Sequence, residues 1–150
     1  MQRSDFAHFI ELPVRWGDMD VLGHVNNVQY LRYFESGRIA YVEEVTQTSL
    51  EHDENIILAD IQVSFLQQLH YPCTVEVATR TSQFSRSSFH IVGAIYRQGE
   101  DTPVATCRGV MVWFDYVRQK ATPIPDRVRE AIIDFEPVRP DHLEGVRKAT

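Results

Sequence analysis

Cysteine is scarce in this chain: only Cys73 and Cys107 occur among 150 residues, and no C-x-x-C pair is present. That scarcity excludes a disulfide framework and a cysteine-based zinc motif. Long hydrophobic runs are also missing, because no apolar stretch approaches the roughly 20 residues that a membrane-spanning helix needs. The opening residues, MQRSDFAHFI, lack the charged-then-apolar pattern of a signal peptide. We therefore expect a cytoplasmic protein with no membrane insertion.

The signature motifs of several enzyme classes are missing as well. The chain contains no G-x-S-x-G, H-E-x-x-H, Walker or G-x-G-x-x-G sequence, so serine hydrolases of the α/β type, zinc proteases and nucleotide-binding enzymes are not indicated. We expect no metal and no cofactor. The formal net charge of −6 argues against a nucleic-acid partner. Length and composition fit one domain over residues 1–150, with a core at about 8–135 and a polar, loosely held last dozen residues.

The hydrophobic periodicity predicts a strand followed by one long helix. Residues 8–16 alternate loosely, and Pro13 favours an edge position for this strand. From about Val28 to Val45 the spacing becomes helical, and Asn26 or Asn27 is placed to cap the helix start. The predicted buried stripe of this helix is Leu31, Phe34, Arg38, Tyr41, Val42 and Val45.

Four alternating segments follow the helix, with breaks at 70–72, 82–88 and 98–103. Their predicted core faces are Ile57, Ala59, Ile61, Val63 and Phe65; Val75, Val77 and Thr79; Phe89, Ile91, Gly93 and Ile95; and Ala105, Cys107, Gly109, Met111 and Trp113. Connections this short predict an antiparallel meander, and a short second helix is expected from about Pro125. The predicted class is therefore α+β, with a five-stranded antiparallel sheet wrapped around one long helix.

The segment from Val14 to Arg38, VRWGDMDVLGHVNNVQYLRYFESGR, carries the candidate chemistry. Asp18 and Asp20 leave a strand and enter a loop that Gly23 allows to bend tightly. The loop leads to a helix N-terminus, whose unpaired N–H groups and dipole favour negative charge. The backbone N–H of Asn27 could therefore stabilise an oxyanion, while a nearby aspartate attacks a carbonyl carbon or deprotonates a water.

This segment resembles the signature of the 4-hydroxybenzoyl-CoA thioesterase family of hot-dog proteins, within the subgroup of bacterial acyl-CoA thioesterases. The shared pattern is an aspartate two residues after another aspartate, a glycine three residues later, and then a long helix. The resemblance implies the hot-dog fold, Asp20 as the catalytic carboxylate and the Asn27 backbone N–H as the group that polarises the thioester carbonyl. It also implies a CoA site at the hairpin after the third strand, where Arg86, Ser87 and Ser88 stand.

Several other residues of the motif are candidates for the substrate site, and some of them have a structural interpretation as well. We place Gly23, His24, Tyr30 and Glu35 in the predicted substrate site, although His24 could equally pack and cap locally. Asp18 is more simply a residue that fixes the loop by hydrogen bonds. Glu35 either faces a cleft or pairs with Arg38 three residues later, and Arg38 is most simply its ion partner.

The predicted function is hydrolysis of an acyl-CoA thioester, with a fatty acyl group favoured over an aromatic one. Asp20 acts as nucleophile or general base. We expect a homodimer or a dimer of dimers, because edge strands of the sheet need covering. Two alternatives stay open: a non-catalytic acyl-CoA-binding module, and an enoyl-CoA hydratase that uses Asp20 and His24.

Overall fold

A computed structural model describes residues 1–142 of the chain. It contains two α-helices, α1 (Asn27–Thr46) and α2 (Asp126–Phe135), and short 3-10 turns at Arg3–Asp5 and Trp16–Asp18. The strands are β1 (His8–Pro13), β2 (Glu54–Phe65), β3 (Thr74–Phe84), β4 (Ser88–Arg97), β5 (Pro103–Asp115), β6 (Lys120–Ala121) and β7 (Asp141–His142).

The five long strands form one sheet in the order β1-β3-β4-β5-β2, and every pair along this path is antiparallel. This arrangement, with α1 packed against it, confirms the predicted α+β hot-dog class and the edge position of β1. The prediction of a simple meander was wrong, because only β3, β4 and β5 follow one another in space. β2 pairs with β5 instead of β3, since α1 carries the chain from one edge of the sheet to the other.

The first two strands differ from their predicted extents and faces. β1 ends at Pro13, and the segment predicted to continue it to Trp16 turns into the 3-10 turn. In β2 the register shifts between Leu58 and Asp60, which marks a β-bulge. The bulge turns Ile56 rather than Ile57 toward the core beside Ile61 and Val63, and Ile57 is exposed. The predicted face of this strand was therefore wrong at Ile57 and Ala59, and Phe65 at its other end is exposed as well.

The predicted inward faces of β3, β4 and β5 are confirmed, because Val77, Ile91 and Trp113 are fully or almost fully buried, like most of their neighbours on those faces. Val128 and Ile132 of α2 are buried in the same core. Of the last dozen residues, predicted to be loosely held, Asp141–His142 pair in parallel with β3. The remainder of that prediction concerns residues 143–150, which lie outside the described part of the chain.

Two glycines allow helix α1 to pack closely on the sheet. Asn26 caps its start, with its side chain accepting a hydrogen bond from the Val28 N–H, so the first of the two predicted caps is confirmed. A Cβ placed on Gly93 of β4 would lie 2.2 Å from Phe34 Cε2, and one on Gly37 would lie 2.6 Å from Val77 Cγ1. Both contacts are closer than a side chain can tolerate, so the two glycines set the distance between helix and sheet.

Candidate functional site

The segment between β1 and α1 folds into a loop held by its own backbone. The N–H of Asp20 donates to the His24 carbonyl at 2.9 Å, and Met19 and Val25 form an isolated antiparallel bridge. Gly23 turns the chain with a φ of +88°, a left-handed value that other residues adopt only with strain. No heavy atom lies within 4 Å of where its Cβ would be, so the glycine is required by conformation alone.

Asp18 is a buried anchor of this loop. Its Oδ2 accepts hydrogen bonds from the Arg15 backbone N–H at 2.9 Å and from the Tyr33 hydroxyl at 2.6 Å. Its own carbonyl accepts from the Asn26 N–H at 2.9 Å. Burial, followed by the neighbouring Asp18, raises the pKa of Tyr33 well above its usual range, so the hydroxyl stays a donor. These contacts support the structural interpretation of Asp18.

Asp20 lies on the wall of an open cleft of about 820 Å³. Its Oδ1 accepts a hydrogen bond from the Leu22 N–H at 2.8 Å. Its Oδ2 lies 3.6 Å from His24 Nδ1, too far for a hydrogen bond, and receives no donor from residues 1–142. The remaining walls of the cleft are Trp16, Gly17, Met19, Val21, Gly23, Asn26 and Tyr71. One oxygen of Asp20 is thus fixed, and the other is left for a ligand or a water.

The N-terminus of α1 borders the same cleft through its cap, Asn26. The Asn26 N–H is used by Asp18 and the Val28 N–H by the Asn26 side chain. Asn27 begins the helix between them, and within residues 1–142 its N–H donates to no protein acceptor. Since the dipole of a 20-residue helix favours negative charge at this end, the Asn27 N–H is suited to a developing oxyanion.

A second loop, residues 67–72, braces the first, and the sequence analysis did not anticipate it. The Val25 N–H donates to the Leu69 carbonyl at 2.8 Å, and His70 Nδ1 lies 3.0 Å from the Gly23 carbonyl. The Tyr30 hydroxyl donates to the Gln67 carbonyl at 3.0 Å. Tyr30, predicted to bind substrate, is therefore buried and committed to this loop.

His24 remains compatible with both of its readings. Its ring is partly exposed, lies 6.5 Å from the His70 ring, and places Nδ1 at 3.4 Å from the Val25 carbonyl. Its nearest carboxylate is that of Asp20, whose Oδ2 lies 3.6 Å from His24 Nδ1.

Glu35 and Arg38 are not the ion pair that the spacing predicted. Glu35 Oε1 instead accepts from Arg32 Nη1 at 2.7 Å, on the exposed side of α1. Arg38 turns inward, with its guanidinium carbon 4.8 Å from the centre of the Phe34 ring. That correction follows from burial: Arg38 is one of the few charged residues in the core, whereas Arg32 is free to reach Glu35. Glu35 borders a different cleft from Asp20.

The predicted CoA-binding residues occupy the turn between β3 and β4. The Ser85 N–H donates to the Ser88 carbonyl at 2.8 Å, closing the hairpin. The carbonyls of Arg86 and Ser87 accept from Ile124 and Trp113 backbone N–H groups. This leaves the Arg86 side chain exposed to solvent. None of these residues lines the Asp20 cleft within one subunit.

Two classes of feature are missing from residues 1–142. No group of three or more His, Cys, Asp or Glu side chains in this range is arranged to hold a metal ion. No helix in the same range is long and apolar enough to cross a membrane.

Several known proteins similar to this chain are named as thioesterases. The model of the thioesterase-like superfamily matches residues 14–132. The chloroplastic acyl-acyl carrier protein thioesterase ATL2 of Arabidopsis thaliana is 27% identical over 132 residues, covering 86% of this chain and 70% of that protein. A thioesterase from Thermus thermophilus, solved with coenzyme A and zinc, is 32% identical with a TM-score of 0.79, over 88% of this chain and 96% of that one. PA2801, a putative thioesterase from Pseudomonas aeruginosa, is 30% identical with a TM-score of 0.77, over 85% and 98%.

Proposed function

Because the chain belongs to the thioesterase-like superfamily and is a thioester hydrolase, we propose that it hydrolyses acyl-CoA thioesters with Asp20 as the catalytic carboxylate. The proposal rests on one observation: a carboxylate with only one of its two oxygens hydrogen-bonded lies in the same cleft as the start of a helix. Asp20 has one unbonded oxygen on the cleft wall, and the N–H of Asn27 has no acceptor within residues 1–142.

The proposed reaction needs only these two groups and a water. The Asn27 N–H donates to the thioester carbonyl oxygen and stabilises the negative charge that develops there. Asp20 then either removes a proton from the attacking water or attacks the carbonyl carbon itself to form a mixed anhydride, which water hydrolyses. In both routes the C–S bond breaks, the CoA thiolate takes up a proton, and the acid is released. Both routes are retained in the proposal.

The choice of CoA is supported by the Thermus thermophilus relative, which was solved with coenzyme A bound. We propose that Arg86, Ser87 and Ser88 contact the CoA, with the exposed guanidinium of Arg86 against a phosphate. Since their hairpin does not line the Asp20 cleft of its own subunit, this role requires a second copy of the chain. The edge strand β2, exposed along much of its length, is the proposed pairing edge of a homodimer. A fatty acyl group and a cytoplasmic location stay predictions.

The first test is release of free thiol from acyl-CoAs of short, medium and long chain and from an aromatic acyl-CoA, measured with a thiol-reactive dye. Asp20→Asn should lower kcat by roughly 100-fold or more while the melting temperature is kept, because general-base or nucleophilic carboxylates contribute on this scale. Asp101→Asn is the matched control, since the Asp101 side chain is 90% exposed and does not line the Asp20 cleft. Near-normal turnover by a folded Asp20→Asn protein would refute the proposed role.

The same assay separates the alternatives. An acyl-acyl carrier protein substrate belongs in the panel, since ATL2 of Arabidopsis thaliana is named for that activity. Tight acyl-CoA binding without thiol release from any substrate would favour the non-catalytic module. Loss of enoyl absorbance from an enoyl-CoA without thiol release would favour the hydratase.

A further inference from the structure

A second cleft, of about 470 Å³, lies between α1 and β2 and is not used by the proposed reaction. Along α1, this second cleft lies far from the proposed reaction site. Arg38, which borders the cleft, is 11 positions after Asn27, which corresponds to roughly 16 Å along an α-helix. Most of its lining is apolar, from Ile39, Leu50, Ile56, Ile57, Leu58 and Met111.

Arg38 is the unusual member of this lining. It is only 5% exposed, and within residues 1–142 its guanidinium makes no hydrogen bond; Nη1 is fully buried without a partner. Burial lowers the pKa of Arg38, and the charge of the nearby Glu35 carboxylate partly opposes this, but Glu35 is hydrogen-bonded to Arg32 and not to Arg38. The Phe34 ring lies against it at 4.8 Å, and burial raises the pKa of the nearby Cys107 thiol to about 12, which keeps that thiol neutral. A buried guanidinium without an acceptor is energetically costly, and an oxygen ligand in the cleft would supply one.

The other polar groups around this cleft are already satisfied or lie at its rim. Glu35 is bonded to Arg32 at 2.7 Å, and the Tyr116 hydroxyl donates to the Ile56 carbonyl at 2.7 Å. The Asn55 amide donates to the Ser49 carbonyl at 3.0 Å. His52 and Asp53 are exposed at the entrance. Arg38 is thus the polar group in the lining that remains available to a ligand.

We propose that this cleft binds a medium-chain aliphatic carboxylate, with the carboxylate on the Arg38 guanidinium and the hydrocarbon chain along the apolar lining. The ligand chemistry follows from the lining, since a guanidinium matches a carboxylate in two parallel hydrogen bonds and most of the remaining wall is apolar, with its other polar groups already bonded or at the entrance. The volume lies within the usual range for small-molecule sites, roughly 300–1,000 Å³. Binding here needs neither Asp20 nor Asn27, so the site stands whether or not the proposed hydrolysis is correct.

Octanoate is the probe, and octan-1-ol, which keeps the chain but lacks the charge, is its matched ligand control. Titration of the full chain followed by ¹H–¹⁵N NMR is expected to shift the amides of Ile57 and Leu58 saturably, and those of Gly23 and Asn27 little. Octan-1-ol should bind at least ten-fold more weakly. Saturable shifts around Gly23 with none at the cleft, or equal affinity for acid and alcohol, would overturn the proposal.

Arg38→Met tests the guanidinium directly, because methionine fills similar space without donors. It is expected to weaken octanoate binding at least ten-fold, whereas Arg108→Met, which removes the same charge from the exposed side of β5, should leave binding unchanged. Arg38→Gln, which also removes the charge, serves if the methionine variant does not fold. Unchanged octanoate affinity in either folded Arg38 variant contradicts the proposal, and an active Asp20→Asn enzyme contradicts only the proposed function.

Discussion

Removing the Tyr33 hydroxyl is expected to weaken the Asp18 anchor and, through it, the loop that carries Asp20. In Tyr33→Phe, the Asp18 carboxylate keeps its bond from the Arg15 N–H but loses the 2.6 Å bond from Tyr33 in a buried site. A hydrogen bond to a charged group contributes about 1.5–3 kcal/mol to stability. For a chain of this length, each kcal/mol corresponds to roughly 2–4 °C in melting temperature. The expected fall is therefore roughly 3–12 °C, measured by thermal and urea unfolding.

Tyr30→Phe is the matched control, since it removes the same hydroxyl from the same helix only three residues away. The Tyr30 hydroxyl donates to a neutral carbonyl, that of Gln67. Such a bond contributes only about 0.5–1.5 kcal/mol. The expected order of stability is wild type, then Tyr30→Phe, then Tyr33→Phe. If Tyr33→Phe proves as stable as Tyr30→Phe, Asp18 does not depend on its buried donor and the anchor interpretation is wrong.

Two further changes test the loop and the buried Glu136, which follows α2 and accepts a hydrogen bond from the Tyr41 hydroxyl of α1. Gly23→Ala should cost about 1–2 kcal/mol of unfolding free energy because of its positive φ, and Gly17→Ala, equally uncrowded, should cost much less. Burial raises the pKa of the Glu136 carboxyl. Its contribution to stability is therefore greatest below about pH 4.5 and is lost as pH rises through the folded-state pKa. Denaturant unfolding of Glu136→Gln against pH should consequently show a shallower decrease than the wild type, and an unchanged slope would contradict this.

The strands that the sequence predicts well are those buried in the middle of the sheet. In β4 and β5 most alternate residues face the core, so Ile91 and Trp113 stand out through simple alternation. The predicted face of β2 was wrong because β2 is an edge strand with a bulge at its fifth and sixth residues, and a bulge reverses which residues face inward. Periodicity also reports nothing about partners, which is why the pairing of β2 with β5 could not be predicted from it.

The candidate site likewise has a part that the sequence predicts and a part that it does not. Asp20, Gly23 and the start of α1 were predicted together because they lie within one short segment, and local chemistry explains each of them. The contacts that hold this segment come from distant residues, as His70 and Leu69 illustrate. Arg38 was assigned to Glu35 by spacing alone, and helical spacing does not reveal that one arginine faces the core while another faces solvent.

The contact between Phe34 and Gly93 also determines where the helix can stand along the sheet. The phenyl ring fills the gap that a missing side chain leaves on β4, and a shift of the helix by one residue, about 1.5 Å, would move the ring onto neighbouring side chains. The helix is thereby held in one axial position. The first N–H groups of the helix are fixed with it, so a glycine and a phenylalanine outside the proposed chemistry align the groups that we propose to perform it.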